Sequence, residues 1–126
     1  MQNQMSSNME DYLETIHLLE QEHGNVRVKD IACALNVTMP SVSGAVKKMK
    51  KMGLVRHSRY DLIALTPNGI NLAENIYLRH QTIKKFLQHI LGLDPEIAEH
   101  DACRIEHNIS PETLEGFSRF LNEGRG

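Results

Sequence analysis

Proline and glycine punctuation cuts this chain into helix-length pieces. Gly24, Gly53 and Gly92 stand where helical periodicity stops, and Pro40, Pro67, Pro95 and Pro111 stand where it begins or resumes. Glycine is favoured just past a helix and proline in its first turn. Between these marks the apolar residues keep helical spacing. Met9, Tyr12, Leu13, Ile16 and Leu19 form one face of a helix from Met9 to Gly24–Asn25, capped by Ser7 or Asn8, after a polar, frayed start over residues 1–8. Ile31, Ala32 and Leu35 turn inward on a short helix from Lys29 to Leu35, with Cys33 a small structural side chain on it. Val42, Ala45, Val46 and Met49 do so on a helix from Pro40 to Met52, with Thr38 or Met39 as its cap. Thr66 caps a long helix from Pro67 to about Leu91, whose stripe is Ala73, Ile76, Tyr77, His80, Ile83, Leu87 and Ile90. Ile97, Ala98, Ala102 and Ile105 line a helix from Pro95 to about His107, and Leu114, Phe117 and Leu121 a last one from Pro111. Val26–Val28 reads as a short extended piece; Leu54–His57 and Leu62–Leu65 read as two strands around a Ser58–Asp61 turn.

The chain is therefore mainly α. Helix, short helix, tight turn, second helix and two-stranded wing spell a winged helix-turn-helix over residues 1–70. An all-helical domain over residues 71–126 follows, joined through the long helix at about 67–91. Charge agrees with this division. From Arg27 to Tyr60 eight cationic side chains face Asp30 alone, a net +7 inside a chain whose formal net charge is −2. One basic segment in an acidic chain points to a polyanion partner. The second helix of such a pair presents its N-terminal half to the major groove. Here that half offers Thr38, Pro40, Ser41 and Ser43, small enough to let the backbone approach DNA. Lys47, Lys48 and Lys51 follow on its outward side to reach phosphates, with Arg27 ahead of the short helix and Arg59 and Tyr60 at the wing tip.

A second kind of chemistry sits near the other end. Cys103, Glu106 and His107 lie at i, i+3 and i+4, so a helix brings a thiol, a carboxylate and an imidazole to one face. That is half of a site for a first-row divalent metal. His80 interrupts an apolar stripe, and a buried imidazole needs hydrogen-bond partners or a metal. Asp11 and Glu14 add a carboxylate pair on the first helix. No nucleophile–base pair, phosphate loop or substrate cleft is legible, so an enzyme is not expected. No apolar run reaches the roughly 18 residues of a membrane span and no signal peptide opens the chain. Cys33 and Cys103 are thus expected reduced, in a cytoplasmic protein without a small-molecule substrate.

Taken in order, Met9-Glu10-Asp11-Tyr12-Leu13-Glu14, Met39-Pro40-Ser41-Val42-Ser43, Gly53-Leu54-Val55, Leu65-Thr66-Pro67-Asn68-Gly69, Arg79-His80 and Cys103-Arg104-Ile105-Glu106-His107 closely resemble the diphtheria toxin repressor and manganese transport regulator family, over about residues 9–122. The resemblance implies a homodimeric, metal-dependent repressor of metal homeostasis that binds double-stranded operator DNA, with an N-terminal DNA-binding domain and a C-terminal dimerisation domain. It places metal ligands at Asp11, Glu14, His80, Cys103, Glu106 and His107, joining the two domains. The first helix matches manganese-type members and the Cys103 position iron-type ones. A thiolate favours Fe²⁺, Co²⁺, Ni²⁺ or Zn²⁺ while Asp11 and Glu14 tolerate Mn²⁺, so the co-repressor is Fe(II) or Mn(II). An ancillary site in iron-type members would use His80 and a Glu one turn on, where this chain has Lys84; Glu99 or His100 could still contribute. Phe86, Leu91, Phe117 and Phe120 are expected to be exposed and covered by dimerisation. The rival readings are a metal-independent winged-helix regulator and a thiol redox sensor using Cys103.

Overall fold

The computed structural model describes residues 7–124, with backbone only for residues 7, 8 and 124. Its elements are α1 (Ser7–His23), β1 (Val26–Arg27), α2 (Val28–Leu35), α3 (Met39–Lys51), β2 (Val55–His57), β3 (Leu62–Leu65), α4 (Pro67–Lys85), a π-helical turn (Phe86–Ile90), α5 (Pro95–Ile105) and α6 (Pro111–Gly124). They form two compact units that divide within α4, after Glu74. The frayed start expected for residues 1–8 lies outside the described residues up to residue 6, and α1 has already begun at Ser7.

In the first unit, α1, α2 and α3 pack beside a three-stranded antiparallel sheet ordered β1-β3-β2. The expected two-stranded wing is thus a ribbon with a third strand. Val26 pairs with Ile63 and Arg27 with Leu62. Val28, expected to be extended, instead opens α2. Asp30 causes the early turn: its carboxylate accepts the Arg27 N–H at 2.9 Å and satisfies a donor at the helix start. Leu13, Ile16, Ile31, Val42, Val46, Met49 and Ile63 fill the core of this unit. Glu20 reaches from α1 to the sheet, where its carboxylate accepts the Leu65 N–H at 3.0 Å.

The start of α4 is locked onto the end of α3. Thr66 donates its hydroxyl to the Gly53 carbonyl at 2.6 Å, accepts the Gly69 N–H at 3.1 Å, and donates its own N–H to Leu54 O at 3.0 Å. Gly53 has φ +76°, the left-handed geometry that glycine adopts without strain.

In the second unit, Ile83, Leu87, Ala98 and Ala102 form a buried cluster, against which Phe86, Leu93, Ile105, Ile109, Leu114 and Phe117 pack. The single long helix expected to Leu91 changes pitch at Phe86. Leu91 donates its N–H to the Phe86 carbonyl, a π-type bond, with Leu87 buried in the cluster and Phe86 packed half-buried against it. Phe86 and Phe117 are not exposed as expected: their rings stack with centroids 4.2 Å apart, while Phe120 meets Phe86 edge-on at 6.1 Å. Phe120 and Leu91 are exposed. Tyr77 and Ile97, both expected inward, are also exposed. α5 ends at Ile105, two residues before the expected His107, with Glu106 as its cap.

Candidate metal centre and nucleic-acid interface

Thr38 fixes the start of α3. Its Oγ1 accepts the Ser41 N–H at 3.2 Å and donates its proton to Ser41 Oγ at 2.9 Å. Ser41 receives that bond with its oxygen and keeps its own proton to give to an external acceptor. Pro40, Ser41, Ser43, Lys47, Lys48 and Lys51 are all exposed along the helix. Gly44, which sequence reasoning passed over, lies among them, and a Cβ there would meet nothing within 4 Å. No internal contact accounts for a glycine in mid-helix, where it is destabilising relative to alanine.

The wing turn is equally built. Ser58 donates its N–H to Leu62 O at 2.9 Å, its hydroxyl accepts the N–H groups of Tyr60 and Leu62 at 3.3 Å each, and His57 Nε2 lies 2.9 Å from Asp61 Oδ1. Arg59 and Tyr60 are left outward, Tyr60 at 72% exposure. Arg27 is exposed on β1. All ten nucleic-acid candidates therefore face solvent. Asp11 and Glu14 sit half-buried on α1. Asp11 also borders, with Met9 and Tyr12, a groove of about 580 Å³ whose other wall includes Ser41, Gly44 and Lys48 of α3.

Four expected ligands lie in the second unit, His80 on α4 and Cys103, Glu106 and His107 at the end of α5, and Glu106 is the one that the others meet. Donor atoms of Cys103, Glu106 and His107 lie within 4.8 Å of one another. Helical spacing put them on one face but did not fix their depth: Cys103 is exposed, His107 half-buried and Glu106 only 1% exposed. Glu106 Oε1 lies 2.6 Å from His80 Nδ1. Its Oε2 has no hydrogen-bond donor, and His107 Nε2 stands 3.5 Å away. A buried carboxylate oxygen left bare is costly, and a divalent cation is the partner that would satisfy it. The donors therefore fit a divalent metal. Glu99, a possible ancillary ligand, is engaged otherwise: it touches His80 Nε2 at 3.1 Å and Lys84 Nζ at 3.1 Å. His100 is exposed near it.

Two family models cover nearly the whole chain. The iron-dependent repressor N-terminal DNA-binding domain matches residues 4–62, and the iron-dependent repressor metal-binding and dimerisation domain matches residues 66–125. An HTH-type transcriptional regulator of Methanocaldococcus jannaschii is 38% identical over 120 residues, spanning 94% of this chain and 96% of that protein. This chain belongs to the iron-dependent repressor family. The transcriptional regulator MntR of Escherichia coli O6:H1 is 39% identical over 115 residues, 91% of this chain and 74% of its own length. Among solved structures, the metal-dependent transcriptional regulator MtsR superimposes with a TM-score of 0.84 at 29% identity, and the manganese regulator SloR with 0.80 at 33%. This chain is covered to 94% in both cases and spans 55% of each of those chains. The family is one of transcriptional regulators, not enzymes. Among the described residues no helix is long and apolar enough to cross a membrane.

His80 gives this repressor-family chain a pH signature. The hydrogen bond to Glu106 raises its pKa, burial opposes that, and the Glu99 bond and both carboxylate charges add to it, so the imidazole is held at about 9 against an ordinary 6.5. Burial pushes Glu99 up, but the His80 and Lys84 bonds and charges together hold it below the usual carboxylate value. A folded-state pKa raised above the unfolded one means that the His80 pairing stabilises fully below pH 6.5 and fades as pH climbs through about 9. In urea titrations of chelated protein, stability should fall by about 3 kcal/mol from pH 6.5 to roughly 10, and the His80→Gln chain should lack that component. Identical profiles for the two chains would show that His80 is not so paired.

Proposed function

We propose that the chain is a metal-dependent DNA-binding transcriptional repressor, acting as a homodimer in the cytoplasm with Fe(II) or Mn(II) as co-repressor. The observation that carries the reading is Glu106, a buried carboxylate with one oxygen on His80 and the other bare, grouped with Cys103 and His107. In this reading residues 1–70 read DNA and residues 71–126 bind metal and dimerise. Asp11 and Glu14 complete the ligand set on the strength of their residue type and their match to the family's ligand positions. Cys103 draws the preference toward Fe(II), and the carboxylates keep Mn(II) admissible.

A bound divalent ion supplies the positive charge that allows several anionic ligands to converge. The rest is done by the chain. Asp11 shares a groove with Ser41, Gly44 and Lys48, so holding Asp11 also holds the wall against which the recognition helix α3 rests. In a dimer, α3 and its partner copy must then stand roughly 34 Å apart to enter successive major grooves. Ser41 donates its hydroxyl proton to base or phosphate acceptors, while Lys47, Lys48 and Lys51 neutralise phosphates with no base preference. Ligands that favour the spaced state raise DNA affinity, and DNA raises metal affinity by the same factor.

The test is fluorescence anisotropy on DNA from the region upstream of the chain's own coding sequence. The protein is first chelated, then supplied with Mn²⁺, anaerobic Fe²⁺, Co²⁺ or Zn²⁺. Chelation should abolish specific binding, and micromolar Fe²⁺ or Mn²⁺ should restore it. Equal binding with and without metal would overturn the co-repressor reading.

A further inference from the structure

His80 is held from both sides by two carboxylates of unlike character. Its Nδ1 lies 2.6 Å from Glu106 Oε1 and its Nε2 lies 3.1 Å from Glu99 Oε2. Glu106 is buried and its second oxygen has no hydrogen-bond donor. The Glu99 side chain is 54% exposed, and its second oxygen is engaged by Lys84 Nζ at 3.1 Å. A carboxylate with a bare, buried oxygen attracts a cation. A carboxylate already neutralised by an ammonium and wetted by solvent gains little from one, and a cation placed there would meet the charge of Lys84 at close range.

We propose that Glu99 is a positioning residue and not a metal ligand: clamped by Lys84, it accepts the Nε2–H of His80 and so turns Nδ1 toward the ion held with Glu106. The inference rests on the metal-binding reading above. A histidine that ligates through one nitrogen commonly donates the other N–H to a carboxylate, which fixes the tautomer and strengthens the ligand. Nδ1 faces Glu106 Oε1 in the metal-free chain; were His80 to ligate a metal, the proton on Nδ1 would pass to solvent and the Nε2 proton would stay on the ring, held by Glu99. Lys84 thus supplies a fixed positive charge on the outer side of Glu99, and the chain binds metal only on the Glu106 side of His80.

Zinc, which is diamagnetic, serves as the probe. Long-range proton–nitrogen NMR of the zinc-loaded, ¹⁵N-histidine-labelled chain, with His80→Gln for assignment, should report metal on Nδ1 and a proton on Nε2 of His80. Chelator competition should show zinc affinity lowered by about 10–100-fold in Glu99→Ala. Glu99→Gln, whose amide oxygen still accepts the Nε2–H, should recover most of that loss, with the number of bound ions unchanged in both variants. Zinc on Nε2, an ion lost per chain in Glu99→Ala, or a Gln variant as weak as the Ala variant would make Glu99 a ligand and overturn the proposal. Unchanged affinity in Glu99→Ala would overturn it as well. Failure of the parent chain to take up zinc would instead remove the metal reading, and this inference with it.

Discussion

Glu106→Gln is expected to give a folded chain that no longer answers to metal. The amide keeps the volume of the side chain and an oxygen that can accept the His80 Nδ1–H, so the cluster around it stays filled. What disappears is the negative charge on a group 1% exposed, together with the bare Oε2 that invites a cation. An amide is a poor ligand for a divalent ion, and its NH₂ would face the position the ion should take. Metal affinity should drop at least 100-fold, beyond the roughly 10–100-fold that a supporting residue carries. Metal-stimulated operator binding should vanish at metal concentrations that saturate the parent. Stability should fall by about 2 kcal/mol, less than the 3–5 kcal/mol of a fully broken buried pair, because the hydrogen bond survives. An independent readout exists. Glu106 is the main cause of the raised His80 pKa, so without its charge the loss of stability between pH 6.5 and about 9 should flatten. A Glu106→Gln chain that keeps both its metal dependence and its alkaline loss of stability would remove Glu106 from the centre.

Thr38, Thr66 and the prolines announced their helix starts, because a cap or a first-turn proline is a local rule that the fold has little reason to override. Val26–Val28 was legible as an extended piece but not as a sheet strand, since two residues have no period; only the pairing of Val26 with Ile63 makes β1 one. The change of pitch at Phe86 was hidden for a similar reason. Leu87 is buried in the cluster and Phe86 packs half-buried against it, an arrangement that apolar spacing allows in an ordinary helix as well, so nothing local marks the π-type bond from Leu91 to Phe86. Within the candidate centre, residue type and spacing grouped Cys103, Glu106 and His107, while His80 stood apart as an imidazole in an apolar stripe and joined them only through the family resemblance. Residue type and spacing could not say that Glu106 would be sealed off while Cys103 stayed exposed, because depth depends on what packs across from a face. Lys84 stood out only as a departure from the ancillary ligands of iron-type members. Its contact with Glu99 is what turns that departure into a role.

Gly69→Ala should be severe, far beyond what helix propensity at a first-turn position would suggest. A glycine in the first turn of α4 reads as a small local weakness. A Cβ at this position, however, would fall 2.1 Å from the Leu54 carbonyl oxygen and 3.2 Å from a Leu65 methyl. The near atom is backbone, and it is not free to move: Leu54 O accepts the Thr66 N–H at 3.0 Å, and Thr66 is tied to Gly53 and to Gly69 itself. Relief requires shifting the start of α4 away from the α3–β2 junction, which loosens these bonds together. The expected loss is about 3 kcal/mol, a fall of roughly 10 °C in Tm. Gly44→Ala is the opposite case. Its Cβ would meet nothing within 4 Å, so the substitution should stabilise α3 by about 0.5–1 kcal/mol. If α3 seats on DNA through that face, the same methyl should weaken operator binding while Tm rises. Calorimetry and anisotropy on the two variants separate the cases: Gly69→Ala should lower Tm, whereas Gly44→Ala should raise it and still bind DNA less tightly. A Gly69→Ala chain that melts with the parent would mean that the close approach at Leu54 is not a feature of the folded protein. A Gly44→Ala chain with full operator affinity would mean that DNA does not approach the α3 backbone at that residue.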